Sequence, residues 1–295
     1  MKGNYKYRLG EYREVGKVVC PWCGKKSFVR LIENETGKIL DGFGRCDHDT
    51  CPSRSTDKSG IVYPGKDIDT SNFKTVEKDE TPKVFYDWNI VRQYTEHRQE
   101  NTLCRFLLTQ VKDKDRFDKI LQDYYIGSIN NDIIFWQIDQ RGNVHRGKIM
   151  KYNSDGHRQK TSYAISTMWQ KQKRPKNIEP EMCYFGQHLI QKDRPIGIVE
   201  SEKTAIIASY FLPQLTWIAT LSLNNFNANR IKFLNGFKYP VYVFPDYDGY
   251  EKWTEKVEYF KVTTKLNIKV NQEVKKYGNG KQDIADLLLN DLKEV

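Results

Sequence analysis

The last hundred residues repeat a rhythm that few architectures accommodate. Short apolar runs at Ile196–Val199, Trp217–Leu221, Tyr239–Phe244 and Leu266–Val270 alternate with helix-period stretches at Glu202–Phe211, Ala228–Leu234, Glu251–Val262 and Asp283–Asp291. A strand followed by a helix of this length does not return as a hairpin, so the pattern predicts parallel strands joined by crossover helices. Ligands of such sheets bind beyond the carboxyl ends of the strands. Acidic residues stand there: Glu200 follows GIV, Asp246 and Asp248 follow YVFP, and Asp283 lies in KQDIADLL. Burying several carboxylates together is costly unless a cation compensates them, which points to a Mg2+ or Mn2+ site suited to phosphoryl transfer. Taken singly, Glu200, Asp246 and Asp248 each read more readily as helix-capping or loop carboxylates.

The other end of the chain carries a second constraint. Of six cysteines, Cys20, Cys23, Cys46 and Cys51 fall in CPWCGKKSFVRLIENETGKILDGFGRCDHDTC, where two knuckles bracket a strand (Ser27–Ile32), a turn (Asn34–Gly37) and a second strand (Lys38–Phe43). Four thiolates can enclose a tetrahedral Zn2+, and the metal substitutes for a core that so few residues cannot build. The spacing predicts a zinc ribbon over residues 1–65 held by Cys20, Cys23, Cys46 and Cys51, with His48 as an alternative ligand. Cys104 and Cys183 stand alone and are expected to be buried as small hydrophobes.

No apolar run approaches the roughly 18 residues of a spanning helix, and the start, MKGNYKYRLGEYREVG, lacks the apolar core of a signal peptide, so a cytoplasmic protein without membrane contact is expected. The 295 residues suggest about two domains, and 38% hydrophobic residues exclude disorder of the whole. Residues 66–83 read as a linker, being charged and without apolar periodicity. GIVYPGK, at Gly60 to Lys66, has phosphate-loop spacing up to its Lys but is followed by Asp67 where Ser or Thr would reach Mg2+, and is rejected. Residues 84–188 read as mixed α and β, with a helix face at Leu103, Phe106, Leu107 and Val111 and extended stretches at Asp132–Ile138 and Val144–Tyr152 around a Gln140–Asn143 turn.

Charge is concentrated in that middle segment. The chain carries a net +10, and between Arg141 and Lys176 ten basic residues face a single acidic one, Asp155, whereas residues 196–295 are near balance. A one-sided basic track favours a polyanion. Arg146, Lys148, Lys151 and Arg158 are its candidate nucleic-acid contacts, with Tyr152, Tyr163 and Trp169 as rings able to stack on unpaired bases.

The acidic spacing resembles the TOPRIM domain shared by bacterial replicative primases, topoisomerases, certain nucleases and recombination mediators. IVESEKTAIIA, with Glu200, is similar to its first motif, and VFPDYDGY, with Asp246, Asp248 and Gly249, to its second. WIATLS resembles the intervening strand, and KQDIADLL the later Asp-containing segment of primases. Upstream, YYIGSINNDIIFWQIDQRGNVHRGKIMKY resembles the segment that precedes TOPRIM in DnaG-type primases, and CYFGQHLI the short element before its first strand. The chain departs from the pattern at Ser201, where Gly is usual, at Thr204, where primases often place Asp, and at Tyr250, where a small residue is common.

The resemblance implies an α/β protein: a zinc ribbon, a basic α+β subdomain at 84–188 and a TOPRIM domain at 189–295 with a parallel sheet flanked by helices. It further implies a compact primase, of the kind encoded by plasmids, phages or mobilisable elements, making short primers on single-stranded DNA from nucleoside triphosphates. Glu200, Asp246 and Asp248 would be catalytic. Asp246, Asp248 and Asp283 would bind Mg2+ or Mn2+, and Zn2+ would be structural. A replicative helicase is a candidate partner, although no docking region is evident. Other readings are a non-catalytic recombination mediator and a TOPRIM nuclease.

Overall fold

The structure, a computed structural model, describes residues 7–20, 23–48, 51, 85–164 and 182–291. The expected linker at 66–83, the GIVYPGK loop, Trp169, the ring of Tyr163 and the basic residues Lys171, Lys173, Arg174 and Lys176 lie outside the described residues. The chain divides into two compact units, Met1–Thr81 and Pro82–Val295. Among the described residues, no helix is long and apolar enough to cross a membrane.

The first unit is a small antiparallel sheet. Strand β3 (Lys26–Glu33) pairs with β1 (Tyr7–Leu9), β2 (Val18–Val19) and β4 (Ile39–Cys46), and a one-turn helix α1 (Tyr12–Val15) joins β1 to β2. The β3–β4 register shifts between Arg30 and Leu31, and at this bulge Gly44 is forced: a Cβ there would sit 1.9 Å from the Val29 carbonyl oxygen. Among the described residues the apolar interior is small: Val15, Val29 and Ile32 form one cluster, Phe28 with Cys20, Cys46 and Cys51 another, and Leu31 is also buried. So small a core is consistent with stabilisation by a metal.

The second unit contains two four-stranded sheets. Three helices precede the first: α2 (Trp88–Thr95), α3 (Thr102–Gln110) and α4 (Lys114–Asp123), each N-capped by a side chain, Asp87, Asn101 and Asp113 respectively. The antiparallel sheet follows in sequence order, β5 (Gly127–Ile129), β6 (Asp132–Ile138), β7 (Val144–Tyr152) and β8 (Arg158–Ala164). Period-two alternation splits β6: Ile133 and Phe135 pack towards α3 and α4, while Ile134, Trp136 and Ile138 pack with Val91 of α2.

The predicted parallel sheet is present, in the order β10-β9-β11-β12. Its elements are β9 (Ile196–Val199), α5 (Glu202–Phe211), β10 (Thr216–Ala219), α6 (Ala228–Ile231), β11 (Val241–Val243), α7 (Tyr250–Thr264), β12 (Ile268–Val270), α8 (Glu273–Tyr277) and α9 (Ile284–Asp291). Ala205, Ile206 and Ala208 of α5 share a core with Val199 and Ala219, whereas Trp253, Val257 and Phe260 of α7 pack with Ile198, Ile218 and Val243. The two helices therefore cover opposite faces, which is why the strands are apolar on both sides.

Candidate active site at the switch point of the parallel sheet

From β9 the chain moves to β10 on one side, then returns to place β11 on the other. The crossovers leaving β9 and β11 diverge to opposite faces, and the crevice between those strand ends is where parallel sheets bind ligands. Glu200 immediately follows β9, and Asp246 lies three residues beyond β11. Both line a cleft of ≈ 1240 Å³, together with Asp248, Asp283 and Asp286.

Local chemistry fixes these carboxylates. Asp283 caps α9, its Oδ1 accepting from the backbone N–H groups of Ala285 (2.8 Å) and Asp286 (3.1 Å), while Asp286 Oδ2 accepts from the Asp283 N–H at 2.9 Å. The other Asp283 oxygen accepts from the hydroxyl of Thr204, a buried residue of α5. Asp246 sits in extended backbone ahead of a single 3-10 turn, Tyr247–Gly249, and its carbonyl accepts from Gly249 N–H at 3.1 Å. These caps hold Asp283 in the cleft.

Electrostatics record how close the acids come. Burial, then Asp283, Glu200, Asp248 and Asp286, push the Asp246 carboxyl up to about 8. Burial, then Asp248, raises Glu200; burial, then Asp286, raises Asp283. Titration shifts of this origin mark sites that are completed by a cation or a proton. Among the described residues, the group of three or more His, Cys, Asp or Glu placed to hold a metal ion is the four cysteines, whose sulfurs all lie within 4.8 Å of one another. Glu200, Asp246 and Asp248 share one cleft and one field. Poorly solvated like charges repel, and Mg2+ keeps several waters and needs only one or two direct carboxylates. The donor set of hard oxygens suits such an ion.

The facing wall comes from the antiparallel sheet. Lys148, Met150 and Tyr152 of β7 and Arg158 of β8 line the cleft. The described basic residues of the expected track differ in their surroundings. Lys148 donates to Glu202 Oε1 at 2.7 Å, and Glu202, at the first position of α5, is only 2% exposed. Lys151 pairs with Asp132 at 3.7 Å, and Arg146 donates to Met182 Sδ at 3.6 Å. Arg158 is exposed in the cleft lining. Tyr152 is 6% exposed and belongs to the core beneath the cleft, so its ring is not the stacking platform anticipated. Sequence reasoning missed Glu202; its only signal was a second carboxylate two residues after Glu200, at a helix start where acids are ordinary.

In the first unit, Cys20 Sγ lies 3.7 Å from Cys51 Sγ and Cys23 Sγ 3.7 Å from Cys46 Sγ. A tetrahedron of thiolates about 2.3 Å from Zn2+ has edges of about 3.8 Å, so the four sulfurs fit the ion. The Ser27 hydroxyl, 3.1 Å from Cys46 Sγ, and the His48 N–H, 3.4 Å away, surround that sulfur with donors that favour a thiolate. The His48 ring instead lies 2.7 Å from Lys25 Nζ and is not part of the cluster.

Two family models match: one described as a zinc beta-ribbon finger over residues 5–58, and one described as a domain of unknown function (DUF6371) over residues 101–247. No curated protein matches significantly. Among solved structures, the primase fragment of the bacteriophage T7 primase-helicase overlaps 94% of this chain and 96% of its own at 12% identity and a TM-score of 0.44. The zinc-binding and RNA polymerase domains of Aquifex aeolicus primase overlap 69% of this chain and 59% of theirs (12%, 0.42). A DnaG primase catalytic domain bound to single-stranded DNA overlaps 70% and 76% (10%, 0.41). At these values the functional reading rests on the site's own geometry.

Proposed function

We propose that this chain is a primase-like nucleotidyl transferase whose second unit includes a TOPRIM domain at about residues 189–295. The observation that carries the reading is the convergence of Glu200, Asp246, Asp248 and Asp283, from two strand ends and a helix start, on one cleft at the switch point of a parallel sheet. Asp246 and Asp248 would hold Mg2+ or Mn2+, with Asp283 adding charge from its capped position. When bound, the ion neutralises the triphosphate of an incoming nucleotide. Glu200, whose proton affinity burial and Asp248 raise, takes the proton from a primer 3′-hydroxyl at a carboxylate oxygen. Arg158, exposed and without a carboxylate partner among the described residues, gives the opposite wall a cation for phosphate, while Lys148, tied to Glu202, braces the wall. The zinc ribbon and the basic subdomain hold the template, largely through phosphates.

The test is incubation with labelled nucleoside triphosphates, Mg2+ or Mn2+ and single-stranded DNA. New oligomers made by the wild type and not by Asp246→Asn are expected. A cut template would instead indicate a nuclease, and binding without chemistry a strand-remodelling mediator.

A further inference from the structure

A second cleft, of ≈ 780 Å³, lies in the same unit and has no part in the acidic site. One wall belongs to the antiparallel sheet and its approach: Phe85, Asp139, Arg141 and His145. The other carries Tyr184, Gln187, Arg230 and Phe233, from segments flanking the parallel sheet. Its chemistry is the reverse of the first cleft. Asp139 is the sole acidic residue in the lining, and its carboxylate is already occupied by the His145 ring (2.9 Å), the Asn143 amide (3.0 Å) and the backbone N–H groups of Arg141 and Asn143.

The two arginines are not neutralised in this way. Arg230 donates to the Met182 carbonyl at 2.7 Å, and neither it nor exposed Arg141 has a carboxylate partner among the described residues. Gln187 is 7% exposed; its Oε1 accepts from the Tyr184 N–H at 3.2 Å, and its Nε2 has no partner among the described residues. An amide donor on a largely buried side chain, beside guanidinium groups that have no carboxylate partner among the described residues, suits a ligand with oxygen acceptors. Phe85 and Phe233 supply half-buried rings on opposite walls, held edge-on by His145 (5.1 Å between centroids) and Tyr184 (5.5 Å). Aromatic faces, guanidinium groups and amide donors together match one ligand chemistry, a planar base carrying a phosphate.

The clefts are also neighbours. Along β7, His145 lines the second and Lys148 the first. Leu221 and Leu223 line the first, and Asn227 and Arg230 of the same segment line the second.

We propose that this second cleft binds an unpaired nucleotide, its base against Phe85 or Phe233 and its phosphate on Arg141 and Arg230. The proposal rests on the nucleic-acid half of the function above and is independent of the catalytic half. The experiment is ultraviolet crosslinking of the full protein to a 5-bromodeoxyuridine-substituted single-stranded oligonucleotide, with mass-spectrometric mapping of the adducts. A parallel arm uses free 5-bromodeoxyuridine monophosphate. Adducts on Phe85, Tyr184 or Phe233 are expected, with their yield lowered at least fivefold by Arg141→Glu, an exposed site whose change does not threaten folding. Adducts in the oligonucleotide arm alone assign the site to a strand; adducts in both assign it to any nucleotide. Absence of these adducts from both arms, or yields unchanged by Arg141→Glu, overturns the proposal. Asp246→Asn separates the two readings: it should abolish synthesis and leave these adducts intact.

Discussion

Replacing Asp246 by Asn tests the acidic cleft without reference to any assay of synthesis. The folded protein holds the Asp246 proton up to about pH 8, whereas the ordinary value is 3.8. The folded state therefore binds more protons than the unfolded one throughout that interval. The contribution of Asp246 to stability is therefore greatest below pH 4, declines as pH rises towards 8, and is level beyond. At about 1.4 kcal/mol per pH unit, the interval from pH 5 to pH 8 costs the wild type about 3–4 kcal/mol through this residue. For a unit of this size that is a fall of about 10 °C in Tm. Asn keeps the shape and removes the charge, so D246N should match the wild type near pH 5, be the more stable at pH 8, and show a much flatter pH profile. The assay is urea or thermal unfolding at pH 5, 6, 7 and 8 without added divalent ions and with zinc retained. Mg2+ at pH 8 should then recover stability in the wild type and not in D246N. Identical pH profiles for the two proteins would refute the placement of Asp246 among carboxylates that repel it.

Lys148→Ala should destabilise the second unit by about 3–5 kcal/mol in urea, because it strands a buried Glu202, and Lys148→Ala with Glu202→Gln should regain much of that. Lys151→Ala, losing a looser 3.7 Å pair with Asp132, should cost less than about 1 kcal/mol in the same assay. Cys46→Ser should abolish stoichiometric zinc, read by atomic absorption, and open residues 5–58 to limited proteolysis while the melting of the second unit persists. Gly156→Ala should cost at least about 2 kcal/mol, since φ there is +78° and a Cβ would sit 2.3 Å from the Phe106 ring at the edge of the acidic cleft; equilibrium denaturation checks it.

Much of this fold was legible along the chain. The four parallel strands fall where the alternation put them, β9 at Ile196–Val199 without change and β11, Val241–Val243, inside the predicted Tyr239–Phe244. The cysteine knuckles anticipated a four-sulfur cluster. These features are local: side-chain period follows backbone geometry, and knuckle spacing follows the reach of two thiolates about one ion. Three-dimensional packing alone decided the rest. It set β11 beside β9 rather than β10, which makes a switch point of Glu200 and Asp246. It also brought Lys148 to Glu202, 54 residues away, a pairing that no local pattern announces. The same packing buried the Tyr152 ring that composition alone would offer to a base. A charge or a ring is written in the sequence, but its partner is chosen by whichever distant element the fold brings against it, and the cost of burying it is set there.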